Sequence, residues 1–319
     1  MLRCLMPDLA VFAHFDPHGL VAPHVQRHLE ALATAVDRLI VVTTADLTDT
    51  TRAELSACGE LVERPNEGYD FFSWKTGLDH AGAWWEAGHV ILANDSVVGP
   101  LAGYGRIIAA MDERRAPVWG ITASQESEPH VQSYVLGFGP AGLRSPLVRA
   151  FWLGMTPMAN RSAVIAAYEL GLSRLLRAAG MPAQAYFVPS ARDDLVARYR
   201  RARFAALRVL QTPPAPKAAT GGPLARRAQA LRAGRPYLQR GAAYNPMIAL
   251  WDRALDARLP FVKVETLRDD PYQLDPDGAS MLTACEQAHP EAFSGVREYL
   301  ERIRGDYERL GRGRRKVRG

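Results

Sequence analysis

Residues 90–96 read Val90-Ile91-Leu92-Ala93-Asn94-Asp95-Ser96, and Gly99-Pro100 follow as a turn. A short apolar run that stops abruptly in an amide, a carboxylate and a hydroxyl has the pattern of a buried strand releasing polar groups at its carboxyl end. In open α/β sheets that end is where ligands gather. One carboxylate beside an amide and a hydroxyl suits Mg2+ or Mn2+, provided substrate phosphates and water complete the oxygen shell. The plainer reading is that Asn94 or Asp95 only caps the turn.

Working outward, similar apolar runs at Leu9–Ala13, Leu39–Thr43, Leu61–Glu63, Val118–Ile121, Tyr134–Phe138 and Ala185–Val188 are expected to be strands. Helical spacing lies between them, at Val21–Ala35, Phe72–Trp85, Tyr104–Arg114 and Ser162–Ala178. Strands alternating with helices predict an α/β fold, a mainly parallel sheet covered on both faces.

The segment 64–75, RPNEGYDFFSWK, follows a strand and opens a helix, so its polar groups face the same crevice. Asn66 and Asp70 have the chemistry to meet ribose hydroxyls or a base edge, while Arg64 and Lys75 can offset a diphosphate. The structural alternative makes Asn66-Glu67-Gly68 a turn and Asp70 a helix cap, with Phe71 and Trp74 in the core. His14 ends the first strand and, with Asp16, is placed to line the same pocket. His24 and His28 stand four apart but lack a third ligand, which makes them surface residues on this reading.

Glu169 precedes Gly171 and a short helix; if it faces the crevice it is placed to take a proton from an acceptor hydroxyl. Glu126, Glu128 and His130 are rival bases. Gly137–Gly142 spells GxGxxG, but Pro140 and Pro146 interrupt the helix that would receive a pyrophosphate. No acidic residue lies between Glu128 and Glu169 to hold a ribose, so a dinucleotide site is excluded. No P-loop or GxSxG elbow occurs.

The chain has 319 residues, 48% of them hydrophobic and 23% charged, which rules out a wholly disordered protein. No uninterrupted apolar stretch approaches the ~18 residues of a membrane span. The first residues lack a signal-peptide pattern, and Cys4, Cys58 and Cys285 form neither a disulfide framework nor a CxxC site. The expectation is a cytoplasmic, reducing compartment. The formal charge of +5 is unevenly placed, for no acidic residue occurs between Leu195 and Trp251. Eleven basic residues fall there, from Arg198 through Lys217 to Arg240, and the C-terminus adds Arg312, Arg314, Arg315, Lys316 and Arg318. Such blocks point to a polyanionic partner or to a solvated basic face. Few aromatics interleave with them, which disfavours nucleic acid. Composition divides the chain into a domain at 1–194 and a basic, mostly helical extension at 195–319, with a linker near 211–223. Phe293, Val296, Tyr299, Leu300, Ile303, Tyr307 and Leu310 form an apolar helical stripe that needs a partner surface.

The blocks VFAHFDPHG, RPNEGYDFFSWKTGL, VILANDSVVGPL, VWGITAS, HVQSYVLGF, YELGLSRLL and NPMIALWDRAL…LPFVKVETLRDDP, spanning Val11 to Pro271, resemble the rhamnan synthesis protein F family. The resemblance implies a glycosyltransferase-A-like fold and a role in bacterial cell-surface polysaccharide assembly. It implies transfer of a sugar, rhamnose first, from a nucleotide-diphosphate donor to a glycan or lipid-linked acceptor at the membrane. In glycosyltransferase-A enzymes a metal-binding Asp-x-Asp ends a strand; its last Asp falls on Asp95, while its first falls on Ala93 or Asn94. The catalytic acidic residue that precedes a late helix in those enzymes falls on Glu169. Thus Asp95 is expected to hold a divalent ion and serve catalysis, and Glu169 to be the base. His14, Asp16, Arg64, Asn66, Gly68, Asp70, Lys75, Asn94 and Ser96 are expected around the donor. Fucose, galactofuranose or another hexose would need the same apparatus. A non-catalytic polyanion-binding scaffold is the rival from another class. The basic half is expected to meet an anionic membrane surface.

Overall fold

The run Leu9–His14 forms β1, and every one of its residues is buried because strands pair with it on both edges and helices cover both faces. The computed structural model describes residues 7–213, 222–275 and 277–309, with only the backbone at 305–309. β1 is followed by β2 (Arg38–Thr43), β3 (Glu60–Glu63), β4 (Val90–Asn94), β5 (Val97–Val98), β6 (Val118–Gly120), β7 (Ala123–Ser124), β8 (His130–Val131), β9 (Val135–Phe138), β10 (Gln184–Ala185) and β11 (Val262–Lys263). The main sheet has seven strands in the order β10-β6-β9-β4-β1-β2-β3. It is parallel except at β9, which runs antiparallel to both β4 and β6. The expected mixed α/β architecture is therefore present.

Helices α1 (Pro23–Ala35), α2 (Asp49–Cys58), α3 (Tyr69–Ala81), α4 (Tyr104–Glu113), α5 (Pro140–Leu143), α6 (Pro146–Leu153), α7 (Arg161–Val164), α8 (Leu170–Ala178), α9 (Ala191–Gln211) and α10 (Gly222–Gly234) follow in chain order. Side chains alternate along the strands between two core layers. Ala10, Phe12, Leu39, Val41, Ile91 and Ala93 face the layer that holds α1 and α4. Val11, Ile40, Val42 and Leu92 face the opposite layer, with Phe71 and Trp74 of α3 and Trp152 of α6. Gly77 lets α3 lie on the sheet, since a Cβ there would stand 2.3 Å from Cγ1 of Val11. The buried Trp74 indole donates to the Ala93 carbonyl at 2.8 Å, pinning α3 to the carboxyl end of β4.

The GxGxxG segment serves packing. A Cβ on Gly137 would meet the Trp119 ring at 2.0 Å, so glycine is required under that indole. The C-terminal apolar stripe finds its partner in the main core, where Phe293, Val296, Leu300 and Ile303 are buried in the same layer as Phe12. β11 pairs antiparallel with β5, directly after β4, so residues far along the chain close over the sheet's carboxyl edge. The side chain of Tyr307, together with Leu310, Cys4, Lys217, the arginines from 312 onward and most of the expected linker, falls outside the described residues. Among the described residues no helix is long and apolar enough to cross a membrane.

One expectation is overturned. His24 and His28 are buried, not on the surface, because α1 turns this face toward the sheet. His28 lies against Phe12, Tyr104 and Phe261 and meets the Tyr104 hydroxyl at 2.6 Å. Burial pushes the His24 imidazole down to about 4 and His28 to about 3. The unfolded rings take a proton near the ordinary value of about 6.5, so acid favours the unfolded chain. Stability is expected to be full above that value and to fall, by on the order of 2 kcal/mol per ring, as pH drops to about 4.5. Urea titrations across this range should show a shallower pH slope for His28→Leu than for the wild type. Equal slopes would contradict the assignment.

Candidate active site

Asn94, the last residue of β4, is buried and organises the strand end. Its Nδ2 donates to Oδ2 of Asp70 at 2.8 Å, and its Oδ1 accepts from the Ser96 hydroxyl at 2.6 Å and the Ser96 amide at 3.2 Å. Asp70 lies in the first turn of α3, where a carboxylate also complements the helix dipole. The approach is set by Gly68 and Tyr69, both in the left-handed region (φ +69° and +57°), which turn the chain sharply into the helix. Gly68 could not be replaced cheaply, for a Cβ would stand 2.6 Å from that of Phe72.

Asp95 is held from the neighbouring strand: its Oδ2 accepts the Phe15 amide at 2.6 Å, and its carbonyl faces Nε2 of His24 at 3.3 Å. Burial is the chief cause that raises both carboxyls above their ordinary range, Asp95 well above it. Asp70 adds to the rise at Asp95 by charge repulsion. Against this, the Asn94 hydrogen bond and the charges of Arg161 and Arg64 pull Asp70 down. Two buried carboxyls, one of which raises the other, are oxygen donors of the kind that divalent cations take. The strand-end position that carries no acid, Asn94, is hydrogen-bonded to the carboxylate of Asp70. Among the described residues no group of three His, Cys, Asp or Glu side chains gathers closely enough to hold an ion alone, so further oxygens would come from a ligand.

Glu169 ends a π-helical turn, Ile165–Glu169, between α7 and α8. Such turns widen the helix locally and re-aim side chains. One carboxylate oxygen accepts the Ser133 hydroxyl at 2.9 Å and the other faces Nε2 of His130 at 3.3 Å. Burial opposes the charged imidazole of His130, but Glu169 and the Glu128 carbonyl outweigh it and hold the ring's pKa above the ordinary value. Ser133, which donates to Glu169, directly precedes Tyr134, whose carbonyl accepts the Asn94 amide at 3.2 Å, so Glu169 stands toward the same end of β4.

The other predicted residues divide. Asn66, Arg64 and Asp16 line a cleft of about 750 Å3 at the carboxyl ends of β1, β2 and β3. Arg64 spends its donors on its own loop, to the Pro65, Glu67 and Tyr69 carbonyls and the Ser73 hydroxyl, and so shapes that loop. Asp16 is buried in a two-pronged ion pair with Arg302 (2.8 and 3.2 Å), and accepts the His18 amide at 2.8 Å. His14 is buried between the Thr43 hydroxyl and the Leu20 carbonyl. Lys75 pairs with Asp79 one turn further along α3, on a different side of the helix from Asp70. It is not brought to the carboxylate cluster. A larger cleft of about 1160 Å3, lined by His89, Asp112 and Arg149, opens by the chain entering β1 and β4, away from the strand ends where such sheets present their ligands.

Sequence reasoning missed Arg161, Ser133, Lys263 and Glu265. Lys263 of β11 meets Glu265 at 3.1 Å, and Arg161 lowers the pKa of that same Glu265 after the larger effects of burial and Lys263. Lys263 and Glu265 reach this edge through a pairing 166 residues apart in sequence, between Lys263 and Val97, and only the block LPFVKVETLRDDP hinted at it. Asn94→Leu, which is nearly isosteric, leaves Asp70 and Ser96 unsupported together and should cost about 1–3 kcal/mol in urea denaturation. Ser96→Ala should cost less, and an Asn94→Leu protein as stable as the wild type would contradict the clamp.

The rhamnan synthesis protein F family profile matches residues 39–216. The virulence protein VirA of Vibrio anguillarum is 36% identical over 85 residues, which are 26% of this chain and 26% of that protein. The chain thus matches about a quarter of that curated relative's length. A mannosyltransferase from Pyrobaculum calidifontis in complex with GDP-Man and Mn2+ aligns over 89% of this chain and 88% of its own, with 15% identity and a TM-score of 0.39. Residues 1–349 of TarS from S. aureus align over 98% of this chain and 93% of theirs, with 12% identity and a TM-score of 0.34. With more than half of its length matched, including β2 to β4 and the strand-end residues Asn94 and Asp95, the chain belongs to the rhamnan synthesis protein F family.

Proposed function

We propose that the protein is a glycosyltransferase of glycosyltransferase-A-like fold that moves a sugar, rhamnose by the family's name, from a nucleoside-diphosphate donor to a hydroxyl of a growing surface glycan or lipid-linked glycan. The observation that carries this reading is the meeting of Asp70, Asn94, Asp95 and Glu169 at the carboxyl edge of the sheet, beside the cleft lined by Asn66 and Asp16. This reading puts the protein on the cytoplasmic side, at the inner face of the cell membrane where lipid-linked acceptors lie.

In this reading the nucleoside occupies the cleft at β1–β3, and Asn66 and the loop held by Arg64 recognise it. Asp95 and Asp70 would hold Mg2+ or Mn2+, whose charge offsets the diphosphate as it leaves. Asn94 fixes Asp70 and Ser96, so the strand-end donors need no reorganisation when charge develops. The acceptor hydroxyl forms the new bond to the anomeric carbon as the bond to the diphosphate breaks. Its proton passes to Glu169, which Ser133 and His130 orient. Arg161 and Lys263 add positive charge around the crevice.

A panel of nucleoside-diphosphate sugars, with and without Mn2+, should give a thermal shift for one donor, and that shift should shrink in Asp95→Asn. No shift with any donor would contradict the reading and favour a scaffold. Glu169→Gln should lower the transfer rate by about 10²–10⁴ while the donor still stabilises the protein. Near-normal rates would remove Glu169 as the base.

A further inference from the structure

The basic second half does not present its charge as a uniform face. Arg198 pairs with Asp194, Arg200 with Asp252, and Arg201 lies against Tyr237. Arg203 donates to the Gln273 carbonyl, and Arg226 to carbonyls at the end of α9. These arginines fasten α9 and α10 to each other and to the core. Around them stand large apolar side chains in solvent: Leu224 (79% exposed), Leu231 (74%), Tyr199 (62%), Leu195 (57%), Leu238 and Leu210.

Their placement is ordered. Arg226 reaches the carbonyls of Val209 and Leu210, Arg198 reaches the Leu238 carbonyl, and a Cβ on Gly234 would meet the Ala202 carbonyl at 2.8 Å. The two helices therefore run antiparallel, with Ala202 crossing Gly234. At about 100° per residue, Tyr199 and Leu210 lie about 60–80° from the line of contact on α9, while Leu195 lies near that line, toward the start of the helix. Leu224 and Leu231 lie at a similar offset of the same hand on α10. An antiparallel pair is related by a two-fold axis through its contact, so equal offsets fall on one broad side. Arg192 interleaves with the apolar residues on α9, and Arg227 and Arg235 do so on and just after α10. None of these three arginines has a side-chain partner among the described residues, and no acidic residue occurs from Leu195 to Trp251.

We propose that this side of the α9–α10 pair docks on an anionic phospholipid bilayer, with the leucines and Tyr199 entering the interface and the arginines meeting phosphate headgroups. Interleaved apolar and cationic side chains on a surface helix are the pattern of interfacial binding, and charge complementarity selects an anionic leaflet. The inference rests on the membrane placement proposed above and assigns it to a surface.

The test is co-sedimentation of the full chain with phosphatidylcholine vesicles containing about 30 mol % phosphatidylglycerol, and with phosphatidylcholine alone. Wild type should bind the anionic vesicles and partition at least about tenfold less to the neutral ones. Leu224→Ser with Leu231→Ser should weaken anionic binding by about tenfold or more, and the thermal shift with nucleotide sugar reports the donor site separately. Absent binding, equal binding to neutral vesicles, or equal binding of the double variant (attraction through the basic C-terminus alone) would overturn the proposal. So would a wild-type dimer in analytical ultracentrifugation that the double variant dissolves, since the face would then belong to a second copy.

Discussion

The carboxamide of Asn94 is the constraint on which the site depends. It is neutral, so it sits at the end of a buried strand at little desolvation cost. It also donates on one side and accepts on the other, so it ties α3 to β4 through Asp70 and shapes the turn through Ser96. The Trp74 indole makes a second tie one residue earlier, at the Ala93 carbonyl. Together they fix where a carboxylate from the helix stands relative to the carboxylate of the next residue in the turn. A third acid in place of Asn94 would raise the repulsion already felt between Asp70 and Asp95.

The second half of the chain completes the first. β11 extends the strand end through β5, and the Val264 amide donates to the Ser96 carbonyl at 2.9 Å. The C-terminal helix Val296–Arg309 brings Arg302 to Asp16, whose loop offers the Phe15 amide to Asp95. Arg302 thus acts on the candidate metal ligand at one remove, through Asp16 and the Phe15 main chain. The α9–α10 pair is fastened to this body through Arg200 on Asp252 and Arg203 on the Gln273 carbonyl.

Much of the sheet was legible because its strands are apolar runs bounded by turns, and β1, β2 and β4 differ from expectation by a residue at most. β5, β7, β8, β10 and β11 have two residues each, too short for any periodic signal, and the pairing that closes over the end of β4 is between two of them, β5 and β11. The polar end of β4 and the loop opening α3 were legible as neighbours because both leave the sheet at the same edge. Burial of His24 and His28 was not, since an imidazole reads as polar until its aromatic neighbours are known. The Asp16–Arg302 pair joins residues 286 positions apart and leaves no local trace. The arginines of α9 read as one basic block, whereas fixed partners occupy several of them and leave a smaller interleaved set in solvent.

In the proposed transferase, Asp95 and Asp70 would hold a divalent cation when a nucleoside diphosphate is bound. Electron paramagnetic resonance of Mn2+ titrated with protein and a nucleoside diphosphate tests it most directly. A ternary complex should remove free-ion signal beyond the nucleotide's own binding in the wild type, and Asp95→Asn or Asp70→Asn should weaken that complex by about tenfold or more, the worth of one lost charged contact. Free-ion signal that both variants reduce as fully as the wild type would contradict the account.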